Sequence, residues 1–544
     1  STLSRRRPRT VQGHARRRAR RAKADGILVM NCPTALASST DAAQAVLDAI
    51  AQAPHPRKVP PILTNWLGQD AAHEARQKFR AAGIPTYESP NDAIQGFFYL
   101  WQYTKAQESL MRAPPKSTGP TTIADEAARA IMRTAVRSGR TLLTEPESKA
   151  VLSAFGIPTV ATRVATTPED VADIAHALLK QSESVVVKIL SDDISHKSDI
   201  GGVRLGLRSP QEACHAAERM LARAAETCPQ ARIQGFTVQP MIVRKQAHEL
   251  LLGVYEDPLF GPMILFGSGG TATEIINDTA VALPPLDTTL ALDLMEQTRV
   301  CRLLKGYRDR PPADLAGIAS ALVQLSQLVV DCPAVKELDI NPLIADETGV
   351  IALDARIRID PDLVEMDGPN PRLAIRPYPN QWERWTETED GERILIRPIK
   401  PADEHLYDNF VARLSPEDIR FRFLAPRKEF SHKFVARFTQ IDYARAMAFV
   451  ALNREETELY GIARLAADPD YTKGEYAIIV RSDLKGTGLG WMLMRNLIRY
   501  AEREGLQELT GDAWSRIRAC SKCAGHWASR FPPTRKICPC ARCG

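Results

Sequence analysis

Short apolar runs alternate with amphipathic segments along most of this chain, and that alternation limits the possible folds more than any other feature. The run GILVMNCP at 26–33 has the pattern of a buried strand, and SVVVKIL, GFTVQPMI, ELLLGVYED, GPMILFG and VIALDARI repeat it further along. Helical patterns separate these runs, which is typical of domains that layer helices against sheets. We therefore predict an α/β multidomain protein whose first sheet is parallel.

Two proline-rich joints divide the chain. MRAPPKSTGPTT at 111–122 and the charged segment 362–392 both have the composition of linkers. A chain of 544 residues is expected to hold three or four domains, at about 150 residues each. The predicted parts are a basic, disordered leader over 1–23, a first domain over 24–110, a larger α/β domain over 121–361, the linker over 362–392, a last domain over 393–512 and a cysteine-rich tail over 513–544.

Composition excludes several classes of protein. The net charge of +6 is due to the leader, which contains many arginines and no acidic residue, so we expect no nucleic-acid partner for the folded domains. No apolar run approaches the ~20 residues that span a bilayer, and no signal-peptide pattern is present. Five cysteines are scattered singly, which suits reduced thiols. We expect a cytoplasmic protein with no membrane partner.

The segment EYAIIVRSDLKGTGLGWMLMRNLIRYAEREG reads as a strand, a glycine-rich turn and a helix. Gly486, Gly488 and Gly490 leave the turn without side chains, so amides at the helix start could bind a diphosphate that the helix dipole also favours. From the glycine spacing alone, an ordinary tight turn before a helix is an equal alternative.

The sequence around these glycines favours a diphosphate-binding loop over an ordinary turn. RSDLKGTGLG resembles the acetyl-CoA diphosphate loop of the GNAT superfamily, and RPIKPADEHLYDNFVARL and DYARAMAFVAL resemble the GNAT half of Pat-type protein lysine acetyltransferases. This resemblance implies a C-terminal GNAT α+β domain that binds acetyl-CoA. The residues implied in cofactor binding are Val480, Lys485, Gly486, Thr487, Gly488, Leu489 and Gly490.

Glu475 begins the strand that leads into this loop. A carboxylate there could take a proton from a substrate ammonium, directly or through a water. The resemblance implies that Glu475 is the general base. Without that resemblance, a glutamate at the edge of a strand would more often be simply exposed to water.

The sequence of the larger α/β domain resembles a second known family. LTEPESKAVLSAFGIPT, VVVKILSDDISHKSDIGGVRLGL and KELDINPLIADETGVIALDARI resemble the ATP-grasp domain of NDP-forming acyl-CoA synthetases, which implies binding of ATP or ADP with Mg²⁺. Lys188 would direct its charge at phosphates, and the turn SDIGG would offer bare amides to them. The residues implied in nucleotide binding are Lys188, Ser198, Gly201, Gly202, Val238, Gln239 and Glu249.

Two further roles are implied by the same resemblance. Asn341 and Asp354 would supply hard oxygen ligands to Mg²⁺, with Asp339 behind them, although a strand-end turn would look similar. His196 would be a phosphohistidine on a mobile segment, although a lone histidine is more often structural or exposed.

Residues 24–110 resemble the flavodoxin-like ligase domain of those synthetases, and two of their earlier domains are absent from this sequence. We therefore expect no complete acyl-CoA synthesis. The leading function is transfer of an acetyl group from acetyl-CoA to a lysine of a protein substrate, with the ATP-grasp part sensing a ligand or forming a homo-oligomer. The alternatives are an acyl-CoA ligase fragment that needs a CoA-binding partner chain, and an inactive binding protein.

The cysteine-rich tail has the spacing of a zinc ribbon in Cys520-x2-Cys523 and Cys540-x2-Cys543. A GNAT domain, however, requires a helix and two strands at this point. Permitted codons for residues 519–531, read two bases later, give MLKMCRALGF, which resembles that helix. Our hypothesis is that the tail is frameshifted and the GNAT domain truncated, and that the basic leader has a similar origin. An intact frame in genomic DNA from independent isolates would refute it.

Overall fold

The computed structural model describes residues 25–511 with short gaps, so the basic leader and the cysteine-rich tail lie outside the described residues. The gaps are 35–37, 53–59, 113, 115–120, 195–196, 198–199, 271–276, 309, 367–369, 389–390 and 424–429. The chain divides into two units, Ser1–Arg112 and Ala113–Gly544. None of the described helices combines the length and the apolar character that crossing a membrane requires.

The first unit is a parallel sheet with helices, as predicted. Its three strands pair in the order β1-β2-β3, and both pairs are parallel. Trp66 and Phe79 pack edge to face, 4.7 Å between ring centroids, and anchor the small core. The elements are β1 Ile27–Asn31, α1 Ser39–Ala51, β2 Ile62–Trp66, α2 His73–Ala81, β3 Thr86–Tyr87 and α3 Pro90–Leu110.

The second unit begins with a central domain that contains two sheets. The smaller sheet has four strands in the order β4-β7-β5-β6, and all of its pairs are antiparallel. Two helices cover it through a core that includes Val171, Ala217 and Phe236. The elements, after α4 Thr121–Arg137 and α5 Glu145–Ala154, are β4 Arg163–Ala165, α6 Pro168–Leu178, β5 Val185–Ser191, β6 Val203–Leu207, α7 Pro210–Thr227 and β7 Ile233–Pro240.

The larger sheet of the central domain has the order β10-β9-β8-β11-β12, with β13 also paired to β11. Every pair in it is antiparallel. Its core surrounds Leu322 and Phe266, both fully buried. The elements are β8 His248–Asp257, β9 Gly261–Ser268, β10 Thr279–Ala282, α8 Thr288–Glu296, α9 Val300–Leu304, α10 Leu315–Asp331, β11 Val335–Asp346, β12 Gly349–Ala352 and β13 Arg356–Ile359.

One predicted strand of this sheet is wrong in detail. The run VIALDARI forms two strands, because the chain leaves β12 after Ala352 and enters β13 at Arg356. Both strands pair with the long strand β11, at opposite ends of it. Asp354 therefore lies in a break between strands, where its side chain is 46% exposed.

The C-terminal domain is built on one six-stranded sheet in the order β14-β15-β16-β17-β18-β19. Neighbours are antiparallel except for the last pair, β18 and β19. The elements are β14 Arg384–Glu387, β15 Arg393–Pro398, α11 Tyr407–Ala412, α12 Pro416–Phe423, α13 His432–Thr439, β16 Ala446–Leu452, β17 Leu459–Ala467, β18 Lys473–Val480, α14 Leu489–Arg503 and β19 Glu508–Thr510.

Separate helices cover the two faces of this sheet. Helix α14 packs Leu493 and Leu497 against one face, next to Phe449. Helices α11, α12 and α13 pack on the other face, where Phe410 and Val450 belong to a second core. The sheet thus contributes apolar side chains to a core on each of its faces.

Candidate functional site

A buried group of charged side chains lies where the start of α5 meets β5. The Nζ of Lys188 is 2.8 Å from Glu145 Oε1 and 3.2 Å from Asp354 Oδ2. Lys149, one turn after Glu145, places its Nζ 2.8 Å from the same Oε1 and 2.7 Å from Gln239 Oε1. We call Glu145, Lys149, Lys188, Gln239 and Asp354 the lysine cluster.

The electrostatics of the lysine cluster are dominated by Glu145. Burial alone would raise the pKa of the Glu145 carboxyl, but the charges of Lys188, Lys149 and Lys197 outweigh it and lower that pKa to about 2. Burial lowers the pKa of Lys149. Burial also opposes the charge on Lys188, yet Asp354 and Glu145 raise its pKa. Three ammonium groups thus face two carboxylates, an excess of positive charge suited to an anion.

The structure brings together only part of the predicted nucleotide site. Lys188 and Gln239 meet in the lysine cluster. Val238 does not join them, because its side chain is fully buried in the core of the smaller sheet. Gly202 offers no bare amide, since its N–H donates to the carbonyl of Lys197 at 2.7 Å.

Other predicted residues of this site lie apart or cannot be placed. Gly201 has a φ of +69°, and a Cβ there would meet Nη1 of Arg223 at 3.0 Å. Glu249 is exposed at the start of β8, beside Gly270. Ser198 and His196 lie outside the described residues.

Sequence reasoning missed Glu145, Lys149 and Lys197. The first two sit at i and i+4 in α5, directly after Thr144, whose side chain forms a capping box with Glu147. The cap fixes where the helix starts, and the i,i+4 spacing places Glu145 and Lys149 on one side of it. Those two signals could have identified the pair.

Of the two predicted magnesium ligands, Asp354 belongs to the lysine cluster and Asn341 lies on β11. Burial raises the pKa of Asp339, and the charge of Asp354 raises it further, so the two carboxylates are close. The Oδ1 of Asn341 accepts a hydrogen bond of 3.2 Å from the amide of Gly270. Among the described residues no three His, Cys, Asp or Glu side chains are grouped to hold a metal. Any Mg²⁺ here would rely on the carboxylate of Asp354, the amide oxygen of Asn341 and phosphate oxygens, with Asp339 as an outer neighbour.

The loop after β18 forms a second candidate site. Arg481 anchors it, with Nη1 2.9 Å from Glu458 Oε2 and Nε 3.0 Å from Asp483 Oδ1. Gly486 and Gly488 have φ values of +89° and +80°, a conformation that favours glycine. We call residues 485–490 the glycine loop.

The main chain of the glycine loop is poised to bind an anion. Gly488 caps α14 without a side-chain hydrogen bond, and the amides of 486–490 donate to no described residue. A Cβ at Gly486 would meet nothing within 4 Å, so the space above the loop is open. The ammonium of Lys485 contacts Asp418, which leaves the amides rather than this side chain to face a ligand.

Strand β18 connects the glycine loop to Glu475. The predicted loop contact Val480 ends the strand, 3.7 Å from where a Cβ of Gly490 would lie. Glu475 is exposed near the other end, roughly 17 Å away at ~3.3 Å per residue. Strand β19 pairs with Lys473–Glu475 only, and no described strand pairs with 477–480 on that side.

Comparison with known proteins matches two family models to these two regions. Residues 134–359 match an ATP-grasp domain, and residues 417–516 match the acetyltransferase (GNAT) family. The lysine cluster lies in the first match and the glycine loop in the second. Both domains therefore have the fold that the sequence predicted.

Three related proteins show how much of this chain has similar sequences in known proteins. The β subunit of ADP-forming acetate–CoA ligase I from Pyrococcus furiosus is 33% identical over 230 residues, 42% of this chain and 97% of that protein. ADP-forming acetate–CoA ligase I of Archaeoglobus fulgidus is 32% identical over 294 residues, 54% of this chain. An acetyltransferase of Pseudomonas aeruginosa is 40% identical over 130 residues, 23% of this chain and 70% of that protein. The chain spans 41% of the length of the Archaeoglobus ligase.

Replacement of Glu145 by glutamine tests the lysine cluster. We expect Glu145→Gln to lower the free energy of unfolding by about 3–5 kcal/mol at pH 6, because it leaves buried ammonium groups without their shared carboxylate. The folded-state pKa lies below the ordinary 4.5, so this stabilisation is present above pH 4.5 and is lost as the pH falls toward 2. Urea denaturation of both proteins from pH 6 to pH 3 measures the difference.

The matched control is Glu226→Gln, which removes an exposed carboxylate from α7. It should change the free energy of unfolding by less than about 0.5 kcal/mol at either pH. A difference between wild type and Glu145→Gln that stays constant from pH 6 to pH 3 would contradict the assigned role of this carboxylate.

Proposed function

Because this chain belongs to the ADP-forming acyl-CoA ligase family through its ATP-grasp domain and to the GNAT acetyltransferases through its C-terminal domain, we propose that it transfers an acetyl group from acetyl-CoA to a lysine of a protein. The observation that carries the proposal is the geometry of β18. Unpaired amides of the glycine loop stand at one end of this strand, and Glu475 stands at the other.

The glycine loop would hold the diphosphate of acetyl-CoA. Its amides lie at the start of α14, where the helix dipole favours negative charge. Lys485 is engaged with Asp418, so binding would depend on Gly486, Thr487, Gly488, Leu489 and Gly490 through their main chain. Val480 would contact the start of the pantetheine arm beside the loop.

The open edge of β18 would position the thioester. Amides of 477–480 that pair with no described strand can bind the extended arm and polarise the carbonyl as negative charge develops on its oxygen. Fixed main-chain donors are effective here because they need no rearrangement when that charge appears. Acetyl-CoA supplies the activated acetyl group.

Glu475 would act as the general base. Its carboxylate accepts a proton from the lysine ammonium, directly or through one water, and the free amine then attacks the thioester carbonyl. Its exposure allows a protein segment to reach it from solvent. The amine gains the acetyl group, and coenzyme A leaves as the thiol.

The ATP-grasp domain would bind ATP or ADP and act as a sensor of that ligand. The excess positive charge of the lysine cluster suits the phosphates, and Asn341 and Asp354 would hold Mg²⁺, with Asp339 as an outer neighbour of these ligands. Homo-oligomers are compatible with this role.

A second function is favoured by the lysine cluster together with the near-complete match to a ligase β subunit. In this alternative the chain is one part of an acyl-CoA ligase and needs a separate CoA-binding chain. Labelling of the chain by the γ-phosphate of ATP, and its loss in His196→Asn, would support this role. Absence of labelling with nucleotide bound would oppose it.

Substitution of Gly488 tests the glycine loop. We expect Gly488→Asp to weaken acetyl-CoA binding at least about tenfold, because a carboxylate at the helix start repels the diphosphate. The matched control is Gly505→Asp, at the other end of α14, where φ is also +80° and nothing lies within 4 Å of a Cβ. Isothermal titration measures both. Equal weakening in the two variants would contradict a diphosphate site in the loop.

Substitution of Glu475 tests the proposed base. We expect Glu475→Gln to lower kcat by roughly 100-fold or more and to leave the Kd for acetyl-CoA unchanged, because the proton acceptor alone is lost. Release of the thiol with a library of single-lysine peptides measures kcat from pH 6 to pH 9. Glu387→Gln, on the far edge strand β14, should retain wild-type kcat. A wild-type pH profile in Glu475→Gln would refute the assignment.

A further inference from the structure

Strand β14, at the edge of the C-terminal sheet, lies beside helix α14. Trp382, just before the strand, packs edge to face against Tyr500, with ring centroids 5.5 Å apart. At the other end of this contact, Oγ1 of Thr386 lies 3.8 Å from Sδ of Met492. The strand and the helix therefore run in opposite directions. Arg384 shares a face of the strand with Thr386, so it lies toward the helix between these two contacts.

Four buried nitrogen atoms in this region have no hydrogen-bond acceptor among the described residues. They are Nε and Nη2 of Arg384, Nε of Arg495 and Nδ2 of Asn496. Asn496 is only 1% exposed and takes the helix position midway between Met492 and Tyr500, level with Arg384. All four atoms are donors, so the pairing they need is with an acceptor. Buried donors are costly to leave unpaired, which favours binding of an acceptor at this point.

The same region carries three positive charges. Burial lowers the pKa of Arg384, and the charges of Arg495 and Arg499, which lie one turn apart on α14, lower it further. No carboxylate of the described residues offsets these effects on Arg384. Arg384 and Arg495 are half-buried, whereas Arg499 is exposed, so the region is accessible from solvent on one side. We call Arg384, Arg495, Asn496 and Arg499 the arginine group.

A phosphate group matches the arginine group better than a carboxylate does. Guanidinium groups present planar forks of donors that suit phosphate oxygens. A phosphate ester carries roughly two negative charges and three acceptor oxygens, against one charge and two oxygens for a carboxylate. Residues 1–24 and 513–544, which the structure does not describe, contain no acidic residue and so supply no carboxylate here. Three neighbouring cations with four unpaired donors therefore favour a phosphate.

The arginine group is separate from the glycine loop. Arg495 and Arg499 lie about 8 and 14 Å beyond Gly490 along the helix axis, at ~1.5 Å per residue. Strand β14 is four strands away from β18, roughly 19 Å at ~4.8 Å per strand. A diphosphate at the start of α14, with its arm along β18, would thus leave the arginine group unoccupied.

We propose that the arginine group binds a phosphate group, either inorganic phosphate or the phosphate of a monoester. The phosphate accepts hydrogen bonds from the guanidinium and amide donors and removes the repulsion among the three cations. It connects β14 with α14 and stabilises that helix against local opening. The site does not depend on the acetyl transfer proposed above.

Hydrogen–deuterium exchange of the full chain tests this binding. Exchange of the α14 amides is measured by mass spectrometry in rising concentrations of inorganic phosphate, against sodium chloride of equal ionic strength. We expect exchange to slow about tenfold when phosphate reaches about ten times its Kd, because a ligand that binds only the closed helix suppresses opening in that proportion. The measurement is confined to α14, so phosphate bound at the lysine cluster does not affect it.

Adenosine monophosphate distinguishes the two sources of the phosphate group. Slower exchange with this nucleotide than with inorganic phosphate at equal concentration would identify an ester as the preferred ligand. Equal or faster exchange with the nucleotide would identify free phosphate. Both results support the site, provided that inorganic phosphate itself slows exchange relative to chloride.

Variants identify the residues responsible. In Arg384→Gln and in Arg495→Gln the slowing by phosphate should fall below about twofold. Arg437→Gln, which removes an exposed arginine from α13 on the other face of the sheet, should keep the wild-type response. Without phosphate, Arg384→Gln should exchange its α14 amides no faster than the wild type, because it removes a cation that repels its neighbours. Unchanged circular dichroism shows that the variants are folded.

Four outcomes would overturn the proposal. The first is absence of slowing in the wild type, which is expected if Glu389 or Asp390, outside the described residues, already pairs with the arginines. The second is slowing that survives in both Arg384→Gln and Arg495→Gln. The third is faster exchange of Arg384→Gln without phosphate, which would assign this guanidinium to a contact within the chain. The fourth is a loss of acetyl-CoA affinity in both variants that equals their loss of the phosphate response, which would make the arginine group part of the acetyl-CoA site.

Discussion

The unequal pairing of β18 determines most of what the C-terminal domain can do. One edge of the strand pairs with β17 from Gly474 to Val480, while the other edge pairs with β19 over only three residues. The full ladder fixes which side chains face each side of the sheet. Beyond that short ladder, the main chain between Glu475 and the glycine loop pairs on this edge with no strand in the part of the chain that the structure describes. Because a strand alternates its side chains, the same pairing places Glu475, Ala477 and Arg464 on one face.

The central domain must stabilise several charged side chains that are buried away from water. Glu145 contacts two buried lysines at 2.8 Å, and their attraction exceeds the penalty that burial imposes on the carboxylate. The same group stabilises the join between α5 and the smaller sheet, so the nucleotide site proposed here would depend on the ion pairs that also hold the fold.

Local features could be predicted well from the sequence, whereas contacts between residues far apart in the chain could not. The glycine loop and the strand before it are encoded within about twenty consecutive residues, and their strand, turn and helix lie as predicted. Lys188 and Asp354 are 166 positions apart, and no local sequence pattern predicts their contact. The side chain of Val238 is buried in the core of the smaller sheet, and a period-two pattern alone does not tell which face of a strand meets the core.

One short helix supports the glycine loop. Asp418 of α12 accepts hydrogen bonds from Ser482 and Lys485 at the loop. Because this carboxylate engages the ammonium of Lys485, an anion at the loop would meet main-chain amides at the start of α14. The position of those amides thus depends on a helix more than sixty residues earlier in the chain, which no local sequence pattern could have indicated.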